Sequence, residues 1–416
     1  MAKSEKSSVV IAGAARTPIG IKCGTLSSFA PEDLAVLAAN EAISRSGVNA
    51  EEIDAAIGAN VYQFTAPHTQ DLYFPRNVGL RCGLRTETPA LMVQRICGSG
   101  MQTVINAWQQ IAMPPELDDA SVILCFAAEA MSRCPRINRA PRRSGAEFWD
   151  FEQDGQVEDT ILASLDHTLA DTSMMRTADE YAAGVGVTRA ECDAFAVESH
   201  SRALAAAAQS HFNNGDGLRG MFAVDTTAPD GQPVYLARDE SARATTLETI
   251  SRLPGLTKNK LVSPGNASEI GDGAGAIVAA DRARAEALGL PCQFELVSYG
   301  VAGVEPRIMG QGPVPSIEQA LARAGLKKDD IDLWEINEAF AAQYLGVEKE
   351  LGLDRSTVNV NGGAVAIGHP LAATGVRLIT DVMYEMDRRG VKYGCASACI
   401  GGGQGAAVIL RNTAVK

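Results

Sequence analysis

Apolar runs alternate with segments of helical periodicity along the first third of the chain. Val9–Ala14 and the run at 121–132 are almost wholly apolar, which is typical of strands buried on both faces. Pro31–Ser46 begins with Pro, carries acidic residues in its first turn, spaces its apolar residues helically and is followed by Gly47, so we predict a helix there. This alternation predicts an α/β fold in which helices cover both faces of a mainly parallel sheet.

The segment from about 134 to 264 breaks this alternation. It opens with five closely spaced arginines and continues with an acidic stretch at 147–166. A helix follows, predicted from Thr188 and Glu191, which have the spacing of a capping box. We interpret this segment as an inserted, loop-rich layer over the first sheet.

The last part of the chain repeats the first. SIEQALARAGLKKDDIDLWEINEAF has the same order of helix, glycine, acidic turn and strand as DLAVLAANEAISRSGVNAEEIDAAIGANV. GHPLAATGVRLITDVMYEM corresponds to CGSGMQTVINAWQQIA, and GGGQGAAVIL corresponds to GDGAGAIVAA. Three correspondences in one order predict a duplicated unit, with a site where its halves face each other. We predict an N-terminal half at 1–127 plus 270–290, an inserted loop domain at 128–269 and a C-terminal half at 291–416.

Composition excludes several classes of protein. The 416 residues are 46% hydrophobic and 21% charged, as in ordinary globular proteins, and the net charge of −13 argues against a nucleic-acid or anionic-membrane surface. Nine cysteines without a CxxC predict neither disulfides nor a zinc site, and no metal is expected. The polar start MAKSEKSS and the lack of a long apolar run predict neither a targeting segment nor a membrane span. We therefore expect a cytoplasmic protein.

Candidate chemistry lies in the glycine-rich turns. Cys97 and His369 occupy equivalent turns at the starts of equivalent predicted helices, so approximate symmetry would bring them together. A helix N-terminus carries partial positive charge, which lowers the pKa of a thiol and favours the thiolate. Cys399 precedes three glycines closely, and such a run lets backbone N–H groups approach a ligand. Taken alone, His369 and Cys399 fit a structural turn and a buried thiol equally well.

Eight motifs in one order carry a resemblance to a known family. They are AARTPIG, ICGSGMQTV, TADEYA, SPGNAS, MGQGPVPS, NEAFAAQ, NVNGGAVAIGHPLAATG and CIGGGQG. From Val9 to Leu410 the chain resembles the thiolases, that is, acetyl-CoA acetyltransferases and 3-ketoacyl-CoA thiolases. The resemblance implies a duplicated thiolase-like fold with two mixed, mostly parallel sheets in α-β-α-β-α layers and an inserted loop domain. It also implies reversible, ping-pong acyl transfer between CoA thioesters (3-ketoacyl-CoA + CoA = acyl-CoA + acetyl-CoA) through a covalent acyl-cysteine.

The resemblance also implies roles for the reactive residues. Cys97 corresponds to the nucleophile that carries the acyl group, and His369 to the residue that takes its proton and then polarises a thioester carbonyl. Cys399 corresponds to the acid/base thiol, since the CIGGG match favours it over Cys395. Asn337 corresponds to the residue that holds a water in one oxyanion hole. The backbone N–H groups of Cys97 and Gly401 would form the other.

The same resemblance places coenzyme A, as substrate and product rather than as a tightly bound cofactor. Ser268 would contact the pantetheine, Arg243 the nucleotide end, and Ala339 and Phe340 the pantetheine tunnel. Met174 would line the acyl pocket, where a flexible thioether suits thioester groups. The family implies a homodimer or homotetramer, with no nucleic acid and no membrane as partner.

Two other functions stay open at this point. A decarboxylating condensing enzyme of the ketoacyl synthase type shares the fold and the cysteine nucleophile but lacks a base thiol in a CIGGG loop, so Cys399 argues against it. A non-catalytic, thiolase-like acyl-CoA-binding protein would lack catalytic residues that are present here. The chain departs from the family pattern at Ser173, at Pro264, in GHPLAATG and over 140–170, and these departures leave the acyl chain open.

Overall fold

The structure is a computed structural model that describes residues 8–138, 157–166, 169, 172–211 and 220–416. Its strands are β1 (Val9–Arg16), β2 (Gly20–Ile21), β3 (Ala55–Ala59), β4 (Ala90–Met92), β5 (Val122–Ala130), β6 (Arg136–Asn138), β7 (Val157–Asp159), β8 (Val224–Thr227), β9 (Pro233–Leu236), β10 (Gly271–Asp281), β11 (Phe294–Gly303), β12 (Leu333–Ile336), β13 (Tyr393–Ile400) and β14 (Gln404–Asn412). Its helices are α1 (Pro31–Ser46), α2 (Phe74–Arg81), α3 (Ser99–Ile111), α4 (Thr160–Asp166), α5 (Met174–Gly184), α6 (Arg189–Ala208), α7 (Leu247–Ser251), α8 (Arg282–Leu288), α9 (Pro313–Ala324), α10 (Ala341–Leu351), α11 (Ala364–Ile367) and α12 (Leu371–Arg389).

The main sheet consists of two similar halves joined edge to edge. Its order is β12-β13-β14-β11-β1-β10-β5-β3-β4, with β2 paired to β10. Outward from the centre, β1, β10, β5 and β3 of the first half match β11, β14, β13 and β12 of the second. The halves join where Val9–Ile11 pairs antiparallel with Phe294–Leu296. The duplication predicted from the sequence is therefore visible in the strand order.

One detail of the predicted sheets was wrong. The two half-sheets, which are continuous with each other through β1–β11, are mixed but mostly antiparallel, and among the described strands their parallel pairs are confined to β3–β4, β3–β5 and β12–β13. The other pairs of this sheet, such as β10–β5 and β13–β14, are antiparallel. Helices bury these antiparallel strands on both faces, so their sequences lack the polar alternation that usually marks an antiparallel strand.

The expected α-β-α-β-α layers are present. Helices α3 and α12 pack against each other and against both halves of the sheet, while α1 and α2 cover the first half and α9 and α10 the second. The two central helices cross at Gly100 and Gly375. A Cβ atom at Gly100 would overlap the carbonyl of Ala372, and one at Gly375 would overlap the amide of Met101. Glycine at the crossing therefore lets the helix that follows Cys97 lie directly on the helix that follows His369.

The segment between β5 and β10 carries the small sheets β6–β7 and β8–β9 and the helices α4 to α7. The predicted capping box is confirmed: the Thr188 hydroxyl accepts from the Glu191 amide at 3.3 Å, and the Glu191 carboxylate accepts from the Thr188 amide at 2.6 Å. Three of the five arginines (Arg139, Arg142 and Arg143) and most of the 140–170 stretch lie outside the described residues.

A buried ion cluster connects this segment to both halves. Arg16 of β1 is 1% exposed and donates to Asp239 of the inserted segment and to Asp381 of α12, each at 2.9 Å. Asp381 also lies 3.6 Å from Arg377, which pairs with Glu335 of β12 at 3.2 Å. Buried charges held by several partners fix their geometry. The cluster therefore anchors α12 from three sides.

No helix in the described parts of the chain is long and apolar enough to cross a bilayer. Among the same residues, no group of three or more His, Cys, Asp or Glu side chains is arranged to hold a metal ion.

Candidate active site

Cys97 lies in a single 3-10 turn, Ile96–Gly98, directly before α3. Its side chain is buried, and the backbone N–H of Gly401 lies close enough to the sulfur to lower the pKa of the thiol. Gly98 faces Ile400 so closely that a Cβ atom would overlap it. The Cys97 turn of the first half therefore rests on the last residue of β13 in the second half.

His369 lies in the turn before α12, and three contacts fix its ring and backbone. Its amide donates to the carbonyl of Glu269 at 2.9 Å, and its Nδ1 lies 2.7 Å from the hydroxyl of Thr374. That hydroxyl also lies 3.0 Å from the carbonyl of Pro370, to which it donates. It therefore accepts the Nδ1 proton of His369, and the Nε2 atom is left unprotonated.

The free Nε2 atom of His369 faces Asn337, which follows β12. The Asn337 amide nitrogen lies 3.3 Å from it, and the Asn337 side-chain oxygen is buried without a hydrogen-bond partner in the described parts of the chain. Burial, followed by the positive charge of Arg377, lowers the pKa of His369 to about 3. The imidazole is therefore neutral at physiological pH and can accept a proton at Nε2.

The electrostatics of the thiols correct one expectation. We expected the helix N-terminus to favour the Cys97 thiolate, but burial raises the pKa of Cys97 to about 11. The N–H groups of Gly401 and of Cys97 itself lower this pKa in part, and the charge of Glu129 raises it. A sulfur removed from water loses more hydration of its anion than two N–H groups restore. The resting site therefore holds a neutral thiol and a neutral imidazole.

The structure separates the two cysteines of β13. Cys399 lies in a small apolar cluster with Met309 and Ala339, and it is close to Cys97. Burial, followed by repulsion from Cys97 when that residue is ionised, raises the pKa of Cys399 well above its ordinary value. Cys395 instead packs in the outer core of the second half with Trp334, and burial alone raises its pKa. Cys399 is therefore the second thiol of the site.

A cavity of about 340 Å³ opens beside the Cys97 thiol. Met174 faces Gly401 across it, and a Cβ atom at Gly401 would come within 3.0 Å of the Met174 methyl group. The hydroxyls of Tyr62 and Ser164, 2.6 Å apart, provide polar groups in a mainly apolar wall. The described residues that line the cavity are Val61, Tyr62, Ile96, Cys97, Ser164, Leu165, Leu169, Met174, Leu371, Gly401 and Gly402.

The residues expected to contact coenzyme A lie near one another. Both the amide and the hydroxyl of Ser268 donate to the carbonyl of Ala339, at 3.1 and 2.9 Å. Phe340 packs against the Cys399 cluster. Arg243 is half exposed and lies 3.6 Å from Glu269, the residue whose carbonyl holds the His369 amide. The structure therefore brings these candidates to the His369 side of the site.

Three residues that support the candidate site were not predicted from the sequence. Thr374 sets the tautomer of His369, and its position one helical turn into α12 could have indicated it. Glu129 accepts hydrogen bonds from the amides of Tyr62 and Ala372, and burial raises its pKa to about 7. A lone Glu inside the apolar run SVILCFAAEAMS was a usable signal for it. Ser99 makes hydrogen bonds to the amide of Arg95 and the carbonyl of Ile96. No signal in the sequence indicated it, because these bonds depend on the backbone conformation of the turn.

Comparison with known proteins agrees with this geometry. The model of the thiolase N-terminal domain matches residues 9–283, and that of the thiolase C-terminal domain matches residues 290–412. The chain is 40% identical to human mitochondrial 3-ketoacyl-CoA thiolase over 407 residues, which cover 98% of each chain. It is 37% identical to acetyl-CoA acetyltransferase of Pseudomonas aeruginosa over 404 residues, covering 97% of this chain and 98% of the relative.

Solved structures give the same result. The crystal structure of human mitochondrial 3-ketoacyl-CoA thiolase in complex with CoA superposes with a TM-score of 0.90 at 40% identity, covering 98% of both chains. The structure of acetyl-CoA acetyltransferase from Syntrophomonas wolfei superposes with a TM-score of 0.89 at 37% identity, covering 98% of this chain and all of the other. Sequence, fold and site geometry lead to one conclusion: the chain belongs to the thiolase family of acyltransferases, which act on CoA thioesters.

Proposed function

We propose that this protein catalyses the reaction 3-ketoacyl-CoA + CoA = acyl-CoA + acetyl-CoA, in both directions, with Cys97 as the covalent acyl carrier. The main supporting observation is that Cys97 of one half and Gly401 of the other line the same cavity, with Gly98 packed against Ile400. The proposed nucleophile therefore lies beside a backbone amide of the opposite half that can serve as an oxyanion donor. Coenzyme A is substrate and product, and no tightly bound cofactor takes part.

In the cleavage direction, Cys97 attacks the 3-keto carbon. His369 takes the thiol proton at Nε2 as the C–S bond forms, and the amides of Cys97 and Gly401 donate to the developing oxyanion. The C2–C3 bond then breaks, and its electron pair leaves on C2 of acetyl-CoA. Protonated His369, together with a water held by Asn337, donates to the thioester oxygen of this carbanion. Cys399 protonates C2. Each oxyanion donor in such sites contributes about 3 kcal/mol to lowering the barrier.

The second half-reaction transfers the acyl group to CoA. The Cys399 thiolate takes the proton of the incoming CoA thiol, and the CoA sulfur attacks the acyl carbonyl on Cys97. The bond between the acyl carbon and the Cys97 sulfur breaks, and Cys97 recovers its proton from His369. All charges return to the resting state, in which both thiols and the imidazole are neutral. The synthetic direction runs the same steps in reverse, with Cys399 removing the α-proton.

Replacement of Cys97 tests this role against a matched thiol. Cys97→Ala should abolish thiolysis of acetoacetyl-CoA and of longer 3-ketoacyl-CoA substrates, because no acyl-enzyme can form. Cys395→Ala removes a buried thiol from the same fold and should retain most of the activity. Mass spectrometry of the intact protein should show an acyl adduct in wild type that Cys97→Ala lacks.

Three other outcomes would contradict the proposal. Residual acyl transfer in Cys97→Ala would rule out the covalent role. Strict dependence on a malonyl thioester would indicate a decarboxylating condensing enzyme. Tight binding of acyl-CoA without turnover at any CoA concentration would indicate a binding protein.

We propose that the protein forms a homodimer through the edge strand β4. Among the described strands it pairs with β3 alone, and its Leu91 is 50% exposed. Leu72, Tyr73 and Leu80 lie exposed in and around the neighbouring α2. An exposed apolar edge strand is a template for pairing, and a two-fold axis would pair two such edges. Leu91→Lys should shift the mass measured by light scattering to that of a monomer, whereas Leu117→Lys, at a more exposed leucine, should not.

We further propose that the segment 128–269 is the loop domain that binds CoA, between halves at 1–127 plus 270–290 and 291–416. Ser268 and Arg243, both within that segment, support this division. All nine cysteines are free, which supports residence in a reducing compartment, and we propose the cytoplasm. Fractionation of the source cells would test this location, since the human relative is named as mitochondrial.

A further inference from the structure

The Cys97 turn contains a strained residue that the reaction itself does not use. Ile96 has a φ of +44°, in the left-handed region. A β-branched residue is rarely found there, because its side chain crowds the backbone. Glycine would adopt this conformation freely, but it would remove an apolar wall of the cavity beside Cys97, which Ile96 lines. Neighbouring groups must therefore hold Ile96 in place.

Ser99 connects the two sides of the strained residue. Its buried hydroxyl accepts from the amide of Arg95 at 2.8 Å and donates to the carbonyl of Ile96 at 2.7 Å. The Ser99 side chain therefore bridges the backbone groups on the two sides of Ile96 and fixes their relative orientation. Both bonds would break if Ile96 returned to an ordinary conformation, because its carbonyl and the preceding amide would turn away from Ser99.

A second contact ties this turn to the loop that carries Gly401. The Arg95 guanidinium donates to the side-chain oxygen of Gln404 at 2.7 Å, across the boundary between the two halves. Gly98 lies against Ile400 on the same two segments. The position of the Gly401 amide beside the Cys97 sulfur therefore depends on how the Cys97 turn sits against the β13–β14 hairpin, and the Arg95–Gln404 contact joins these two segments.

We propose that Ser99 and the Arg95–Gln404 pair are positioning residues, which hold Ile96 in its left-handed conformation and so keep the Cys97 sulfur on the Gly401 amide. This inference rests on the proposed role of Cys97 as nucleophile. None of the three residues contacts a reacting atom. Their effect reaches the reaction through the backbone of the turn.

A double-mutant comparison tests the strain. Ser99→Ala should lower kcat for thiolysis about tenfold with little change in KM, because the turn loses both bonds around Ile96. In the Ile96→Gly background the same change should lower kcat less than about threefold, because glycine needs no support in this conformation. Equal losses in both backgrounds, or no loss from Ser99→Ala, would overturn the proposal.

The reactivity of Cys97 toward iodoacetamide provides a readout that needs no turnover. The Gly401 amide favours the thiolate, so loosening the turn should raise the pKa of Cys97 and slow its alkylation at mildly alkaline pH. Peptide mass spectrometry assigns the label to Cys97. Glu129, Tyr62 and Cys399, the other titratable groups whose charges act on or respond to Cys97, stay unchanged in every variant. If neither the wild type nor any variant turns over substrate, the proposed function fails. Unchanged alkylation of Cys97 in an active Ser99→Ala variant would overturn this inference alone.

Two further variants complete the test. Gln404→Met removes the contact with Arg95 at a half-buried position, so it tests the proposal even if Ser99→Ala does not fold. It should reduce kcat and alkylation in the same direction, and wild-type values for both would count against the pair. Thr103→Val is the matched control, since the Thr103 hydroxyl makes the same type of bond one turn later in α3, to Gly100 at 2.7 Å. It should leave kcat and alkylation unchanged.

Discussion

The two turns that meet in the active site occupy equivalent positions in the two halves, but their backbones are built differently. In the His369 turn, the preceding residue is Gly368, whose φ of +102° costs glycine little. In the Cys97 turn, the preceding residue is Ile96 at +44°, and such a conformation costs about 1–3 kcal/mol. The backbone of the His369 turn is therefore unstrained, whereas that of the Cys97 turn is strained and needs support from neighbouring side chains.

The difference follows from what each preceding residue faces. Gly368 lies against Ile19, where even a Cβ atom would approach within 3.0 Å, and it is not among the described residues that line the cavity beside Cys97. Ile96 borders the cavity in which the acyl group would lie. A turn that must present both a nucleophile and an apolar wall cannot use glycine, so its strain is carried by side chains around it. Equivalent positions in the two halves of a duplicated fold therefore need not share a backbone conformation.

The largest expected effect comes from separating the two turns. Gly375→Val places a branched side chain against the amide of Met101 at the crossing of α3 and α12. We expect a loss of at least about 3 kcal/mol in the free energy of unfolding, together with loss of activity. Urea unfolding and thiolysis assays measure both.

A second glycine serves as the control for this prediction. A Cβ atom at Gly184, the last residue of α5, would meet no atom within 4 Å. Gly184→Ala should therefore change the stability by less than about 1 kcal/mol. A stable, active Gly375→Val variant would show that the crossing does not hold the turns together.

The next effect concerns the histidine turn alone. Thr374→Val removes the hydroxyl that fixes the Nδ1 proton of His369, so both tautomers become accessible and less of the enzyme has a free Nε2. We expect kcat to fall about tenfold or more with KM nearly unchanged. Thr380→Val is the matched control on the same helix, since the Thr380 hydroxyl is buried without a hydrogen-bond partner among the described residues. Equal effects from both variants would argue against a tautomer-fixing role.

The smallest effect is a difference between two pH profiles of the wild-type enzyme. Burial places the pKa of Cys97 near 11 and that of His369 near 3, so both groups are neutral over the range between. The kcat/KM of acylation should therefore be nearly flat around neutrality, because the thiol passes its proton to His369 only during attack. Alkylation of Cys97 needs the free thiolate, so its rate should rise about tenfold per pH unit over the same range. Rapid alkylation already below neutrality would instead indicate a thiolate–imidazolium pair.

Much of the fold could be predicted from local pattern. The Pro31–Ser46 helix was predicted with the ends that the structure shows, since a proline start and a glycine stop are both local signals. The duplication was also predicted, and the strand order confirms it. Strand direction was not predicted correctly. Strands β10 and β14 are buried on both faces, and a strand buried in this way has an apolar sequence whether it pairs parallel or antiparallel.

The candidate site divides in the same way. Residue types in glycine-rich turns singled out Cys97, His369 and Cys399, and the resemblance to a family added Asn337 and distinguished Cys399 from Cys395. The protonation state of the thiol was predicted wrongly, because a helix N-terminus can be inferred from sequence whereas the depth of burial cannot. Thr374 and Glu129 were missed for a related reason, since their roles depend on partners that the fold brings together.

The sequence by itself determined which residues can react and that two copies of one unit make the molecule, because both are properties of residue type and order. Only the tertiary structure decided how the two copies meet. The glycine crossing of α3 and α12 brings the Cys97 turn to the His369 turn, and the ion cluster around Arg16 fixes α12. Burial keeps both thiols and the imidazole neutral. These properties arise from contacts between residues far apart in the chain, and burial depends on all of them at once.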